Sequence, residues 1–257
     1  MSSYSDASLV LIPSGYKTSK VYCAKPTDGT GDLTFTRSND TATRVGPDGL
    51  IEKVRTNLLL QSNSFDTTWT TLNGASVTSG QTGYDGSSDA WLLDRSNLNA
   101  HINQTISLSA VGTFSVYAKA GTLNWLRLRD NNGVGAYFDL SGSGAGGSTS
   151  GLIDSAIESI GGGWFRCSVV ANWSSSSFKI YQADADGDTS GTSGNIYIQN
   201  AQLETGDIAT DYIPTTSAAV SVGPVANLPR LDYTDSTCPK LLLEPQRTNL
   251  ATYSENF

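Results

Sequence analysis

Apolar residues along most of this chain recur at every second position, not every third or fourth. Residues 113–120 set Phe114, Val116 and Ala118 against Ser115, Tyr117 and Lys119. Residues 123–129 set Leu126 and Leu128 against Trp125, Arg127 and Arg129. Val134, Ala136, Phe138 and Leu140 alternate with Tyr137 and Asp139. Phe178 and Ile180 alternate with Lys179 and Tyr181, and Ile196 and Ile198 with Tyr197 and Gln199. A period of two with one apolar set marks half-buried strands. Turn clusters separate them, among them Asp130-Asn-Asn-Gly133 and the glycine-rich loop 141–148. Only residues 154–160 have the spacing for a single helical turn. Many short strands at such intervals predict an all-β protein built on a jelly-roll β-sandwich.

Two flanks depart from this pattern. Residues 1–54 hold strand-like runs at 8–12, 20–24 and 33–37 and a turn at Gly46-Pro-Asp-Gly49, a short N-terminal β segment. Residues 214–246 are punctuated by Pro214, Pro224, Pro229, Pro239 and Pro245 and read as an extended connector. The predicted division is therefore 1–54, a sandwich at 55–213, and 214–257 beyond it. An internal repeat adds to this. Arg55-Thr-Asn-Leu58 leads into Phe65, and Arg247-Thr-Asn-Leu250 leads into Phe257 at the same spacing. Val45-Gly-Pro47 and Val222-Gly-Pro224 precede the two copies. One reading is a terminal strand reused for pairing; the preferred one is a truncated second module, with these residues the proximal part of a longer protein.

Composition narrows the chemistry. Hydrophobic residues make up 38% and charged ones 16%, with 26 glycines, a turn-rich profile suited to an exposed surface. With 16 basic against 24 acidic side chains the net charge is −8, so the basic stripe of a nucleic-acid-binding protein is not expected. The single histidine, His101, excludes multi-histidine metal sites and leaves any His-based triad to rest on it alone. It is read as a surface or strand residue. Cys23, Cys167 and Cys238 are too few and too far apart for a disulfide framework; Cys167 reads as a small buried hydrophobe, in keeping with a reducing cytoplasm. Residues 9–12 are too short for a signal core or a membrane span, so neither export by a signal peptide nor membrane insertion is expected.

Asn57-Leu-Leu-Leu-Gln-Ser-Asn-Ser-Phe65 with Trp69, closed by Ile196-Tyr-Ile-Gln-Asn-Ala-Gln-Leu203, resembles carbohydrate-binding-module jelly rolls. A fuller string resembles a domain of bacteriophage virion proteins of the tail-fibre and head-fibre type, as in crAss-like and podovirus-like phages. It comprises residues 114–121, 125–128, 163–167, Gln202-Leu-Glu-Thr-Gly206 and Tyr212-Ile-Pro-Thr215. The resemblance implies a non-enzymatic virion subunit, assembled in the host cytoplasm and exposed on the particle. Its N-terminal segment would join other virion proteins of capsid or tail, a homotrimer would be its usual state, and host-surface glycan its partner. The alternative is a carbohydrate-binding module of a secreted glycan-degrading enzyme.

The site expected from the alternation is the non-core face: Tyr117, Lys119, Trp125, Arg127, Arg129, Tyr137, Trp164, Arg166 and Tyr181. Aromatic rings stack on sugar faces while Arg and Lys bond hydroxyls, so these residue types suit a glycan cleft. They equally suit a subunit contact or a second buried layer. Asp184-Ala-Asp186-Gly-Asp188 has the oxygen ligands of a calcium loop, and Asp66 and Glu204 are conceivable contributors to a structural calcium. The EF-hand pattern fails there, with glycine fourth and Asn195 in place of the bidentate Glu, and an acidic β-turn with no cofactor is the favoured reading. Residues 142–147 lack the helix of a phosphate-binding loop. Asp130 and Asp139 are the one carboxylate pair on adjacent strands, which makes the case for hydrolysis weak.

Overall fold

The computed structural model describes residues 4, 6–234 and 237–242. The chain divides into two units at Val54/Arg55 and Ser221/Val222. Residues 214–221, read from sequence as connector, thus belong with the sandwich, while the described residues from 222 to 242 cluster with the N-terminal segment. The second copy of the repeated motif, 247–257, lies outside the described residues.

In the unit formed by 1–54 and 222–257, β1 (Val10–Lys17), β2 (Lys20–Lys25) and β3 (Leu33–Thr34) make an antiparallel sheet. The Asp32 carboxylate accepts from Cys23 N and from Lys20 Nζ, both at 2.9 Å, and these bonds hold it at about 2. β4 (Thr43–Val45) and β5 (Ile51–Lys53) form a hairpin across the Gly46–Gly49 turn.

The unit 55–221 is a jelly-roll-type β-sandwich. β6 (Arg55–Asn57) enters it and later pairs with β19 (Val220–Val222). The first sheet contains β7 (Thr70–Leu72), β10 (His101–Gln104), β12 (Trp125–Asp130), β13 (Gly135–Asp139), β14 (Ala145–Ser150) and β17 (Phe178–Ala183). The second contains β8 (Ala75–Gln81), β9 (Ala90–Arg95), β11 (Val111–Ala120), β15 (Asp154–Gly161), β16 (Trp164–Asn172) and β18 (Gly194–Thr205). Their orders are β14-β13-β12-β17-β10-β7 and β15-β16-β11-β18-β9-β8. β20 (Leu231–Asp232) and β21 (Lys240–Leu241) pair in the other unit. No helix is present among the described residues.

The alternation places the core as expected. Phe114, Val116, Ala118, Leu126, Leu128, Phe138, Phe178, Ile180, Ile196 and Ile198 are all fully buried between the sheets. Cys167 lies among them, and burial pushes its thiol well up. Trp173 donates Nε1–H to Gly112 O at 2.8 Å while its ring packs edge-on against Phe178. Residues 154–160, which have the spacing for one helical turn but are flanked by glycines, form strand β15. Pairing with β16 from Asp154↔Val170 onward supplies backbone bonds that one isolated turn cannot match, and Ile157 packs against the core. Likewise the second half of the glycine-rich loop pairs with β13 as β14.

Strand β18 changes parity midway. Ile196 and Ile198 point inward, then Ala201 and Leu203 do, so one extra residue must be accommodated. It is a β-bulge: Ser115 opposes Gln202 but Tyr117 opposes Gln199, and Asn200 takes φ +53°. The fully buried Asn57 serves the backbone beside it. Its Oδ1 accepts from Leu203 N and Leu59 N, each at 3.1 Å, and its Nδ2 donates to Ala201 O at 3.2 Å and Ile213 O at 2.8 Å. Removing the amide leaves several buried backbone groups without partners, each costing about 1–3 kcal/mol. Asn57→Ala is expected to lower unfolding free energy by about 3 kcal/mol or more, read as a drop in urea midpoint at unchanged m-value.

Candidate functional site

The nine residues expected on one face divide between the two outer faces of the sandwich. Tyr117, Lys119, Trp164 and Arg166 lie on the second sheet; Trp125, Arg127, Arg129, Tyr137 and Tyr181 lie on the first. Alternation tells inward from outward but not which layer a strand joins, so two surfaces look like one in sequence.

Of the second-sheet group, Tyr117 and Trp164 are covered by the chain itself, while Lys119 stays half-buried and lines a depression with Gln81, Thr82 and Tyr197. Tyr84 stacks on Tyr117 at 4.6 Å, and Trp164 is 2% exposed with its ring edge-on to Tyr84. The Arg166 guanidinium sits 5.5 Å from the Tyr117 ring and donates to Thr210 O. Residues 206–215 form a strap over this face. The Glu204 carboxylate accepts from Thr210 N at 2.9 Å, Thr210 Oγ1 at 2.6 Å and Gln202 Nε2 at 2.8 Å, and Gln202 Oε1 accepts from Ile213 N at 2.7 Å. Tyr212 is bonded to Ser62 Oγ, and burial pushes its phenol up to about 12. Beside the strap a depression stays open that includes Glu158, Arg166, Ser168, Val170 and Asp207, next to exposed Ile208.

The first-sheet group forms a row across four strands. Tyr137 opposes Arg127, Arg127 opposes Tyr181, and Tyr181 opposes His101. The Arg127 guanidinium lies 4.7 Å from the Tyr137 ring and 5.7 Å from that of Tyr181, and His101 stacks on Tyr181 at 4.3 Å. Tyr137, Tyr181 and His101 are 5–7% exposed, so the rings are the floor, while Trp125, Arg127, Arg129 and Lys179 are half-buried side chains that reach solvent. Arg129 and Lys179 oppose each other one row along. At the other end Trp125 is closely approached by β14 and the loop after β17. A Cβ on Gly147 would lie 2.8 Å from Trp125 Cζ3 and 2.6 Å from Asp186 Oδ1, so a side chain there would make Trp125 or Asp186 shift. His101, Asn103 and Lys179 are absent from the sequence-derived set. The alternation around Ile102 and Ile180 carries their direction, but β10 has only four residues to show it.

His101 Nδ1 donates to Asn99 O at 2.8 Å, which leaves Nε2 as an acceptor. That atom and Asn103 Oδ1 are buried without hydrogen-bond partners. Burial lowers the His101 pKa, opposed by the Asn99 bond and reinforced by the positive charges of Lys179 and Arg129.

The acidic positions are engaged elsewhere. Asp184 pairs with Arg95 and accepts from Gly191 N at 2.9 Å; Asp186 accepts from Ser148 N and Oγ at 2.7 and 2.8 Å; Asp188 accepts from Ser190 N at 2.8 Å. Asp188 N donates to Ala185 O at 3.2 Å and closes the segment as a β-turn, its carboxylates aimed at separate partners. Asp66 is exposed and far in function from Glu204, whose oxygens the strap occupies. Among the described residues no three His, Cys, Asp or Glu side chains group to hold a metal. Asp139 opposes Trp125 and Asp130 ends the same strand, about 17 Å away along it, beyond the separation of glycosidase carboxyl pairs. Asp130 instead accepts from Asn132 N and Val134 N.

A histidine whose folded pKa lies below its unfolded value near 6.5 takes up its proton more readily when unfolded, so stability falls as pH drops through about 6.5. His101→Asn is expected to flatten the loss of thermal midpoint between about pH 7 and pH 5, with the wild-type slope as reference.

No family model and no curated protein matches the sequence. Among solved structures the chain is similar to the CBM22-2 xylan-binding domain of Paenibacillus barcinonensis Xyn10C, at 10% identity and TM-score 0.35, over 59% of this chain and 98% of that one. It is similar to the CBM22-1 xylan-binding domain of the same protein at 15% identity and TM-score 0.34, over 60% and 94%. The CBM22-1–GH10 modules of Clostridium thermocellum xylanase 10B, complexed with xylohexaose, match at 11% identity and TM-score 0.35, over 59% and 28%.

Proposed function

We propose that the 55–221 unit is a non-catalytic carbohydrate-binding module whose ligand lies across the outer face of the first sheet. The observation that carries this reading is the row Tyr137–Arg127–Tyr181–His101. It combines an aromatic floor with a half-buried guanidinium, on the face that the strap leaves uncovered. Planar rings fix the donors of Arg127 in one orientation, and preorganised donors bind hydroxyl-rich ligands at lower entropic cost. The second-sheet residues serve packing in this reading, because Trp164 is buried and the Tyr117 ring is already stacked.

A second reading sets the same module in a virion fibre, where the face would meet host-surface glycan. It is supported by the motif string from Phe114 to Thr215, and it carries the proposals of a trimer and of attachment to other virion proteins.

On a glycan array followed by calorimetry, Arg127→Ala is expected to weaken binding at least tenfold, with Lys119→Ala on the opposite face unchanged. Loss in Lys119→Ala with Arg127→Ala intact would move the site to the other sheet, and absence of binding to every glycan would sink the reading. For the virion reading, light scattering should give the solution mass of three chains; a monomer excludes the trimer.

A further inference from the structure

The charge on the proposed cleft is at odds with the charge of the protein. The chain carries −8 overall, yet this face presents Arg127, Arg129 and Lys179 together. Arg129 and Lys179 are directly opposed across β12 and β17, with Cβ atoms about 5 Å apart. Arg127 lies two residues along β12 from Arg129, about 7 Å away on the same face. None of the three forms an ion pair among the described residues. Asp130, the nearest carboxylate to Lys179 by charge, is buried and bonded to its own turn, and Asp139 accepts from Ser141 N. Burial holds the Arg127 and Lys179 pKa values below their ordinary range, and the neighbouring Arg129 lowers both further.

Opposed like charges destabilise a sheet. A fold with 24 acidic side chains to draw on gives this trio no carboxylate ion pair among the described residues; Arg129 Nε donates to Asp130 O at 2.9 Å, and Arg127 lies over the Tyr137 and Tyr181 rings. We infer that the ligand of this cleft is an acidic saccharide, whose carboxylate or sulfate oxygens are taken by Arg127, Arg129 and Lys179. This inference rests on the glycan-binding reading and specifies its substrate class. Both anion types are planar or tetrahedral sets of oxygens that guanidinium forks and an ammonium bond in the same way. The anions of such a saccharide feel mainly the nearby cations, within a Debye length of about 8 Å, more than the net −8 of the whole chain.

The test uses the full chain and three probes: hexagalacturonate, the same hexamer after reduction of its carboxyl groups, and a sulfated hexasaccharide. Binding is measured at low and at physiological salt. At least one acidic probe should bind tenfold or more tighter than the reduced hexamer, and the preference should shrink with salt. Preference for hexagalacturonate assigns the anion as carboxylate, and preference for the sulfated probe assigns it as sulfate. Arg129→Gln and Lys179→Gln keep much of the apolar stem and remove the charge. Each should cost about tenfold on the acidic probe and nothing on the reduced one. Lys179→Gln should also raise the urea midpoint, because repulsion from Arg129 is relieved; a fall would mark Lys179 as structural and overturn its role.

Equal affinity for acidic and reduced hexamers overturns the inference and leaves glycan binding standing. Full retention of the preference in both Gln variants overturns the assignment to these cations. Binding to no saccharide, with capture of an acidic peptide instead, overturns the inference and the glycan reading together.

Discussion

The sandwich depends on one irregular point, the bulge at Asn200, and on the amide that makes it tolerable. Without an extra residue, the two halves of β18 could not both turn apolar side chains inward: Ile196 and Ile198 would be core, and Ala201 and Leu203 would not. A bulge in a mostly buried strand strands backbone N–H and C=O groups, and Asn57 answers two of them, Leu203 N and Ala201 O, while its other two bonds go to Leu59 N and Ile213 O. Neighbouring groups complete the set, with Ala201 N on Ser62 O and Asn200 N on Asn63 Oδ1. The first residues of the module are thereby tied to its last strand.

The same parity change decides the outer surface. After the bulge, Gln202 and Glu204 face outward on the second sheet, and both are 1% exposed because the strap lies on them. Gln202-Leu-Glu-Thr-Gly206 and Tyr212-Ile-Pro-Thr215 therefore have a structural reading: they are the two sides of one lock. Thr215 closes it on Leu59 O at 2.6 Å and Ser62 Oγ at 3.0 Å. A polar network this deep is stable only when fully satisfied, which explains why several residues must occur together. It also covers the Tyr117–Arg166 part of the second sheet, while the first sheet gathers Arg127, Arg129 and Lys179 on one face.

On that first sheet the chemistry is electrostatic more than stacking. The rings of Tyr137 and Tyr181 are spent on Arg127 and His101, so little of their faces is offered to a ligand. Their contribution is to hold a guanidinium rigid in a region where burial has weakened its hydration. Charged donors held this way bind oxyanions more strongly than the same groups free in solvent.

Much was legible from residue order alone. Alternation around Phe114, Leu126, Phe138, Ile180 and Ile196 determined strands, their inward sides and the all-β class, because burial on one sheet face imposes a period of two. Composition determined that no multi-histidine site could exist. The spacing at 154–160 left a helical turn open, since a short run is ambiguous until a partner strand supplies its hydrogen bonds. Tertiary structure alone decided that Trp164 and Trp125 lie on opposite faces, that His101 and Lys179 join Arg127, and that Glu204 anchors a strap. The physical reason is common to all three. A strand's own sequence records which side is dry, but which strands become neighbours is set by long-range pairing and by how the bulged β18 feeds the chain back over one sheet.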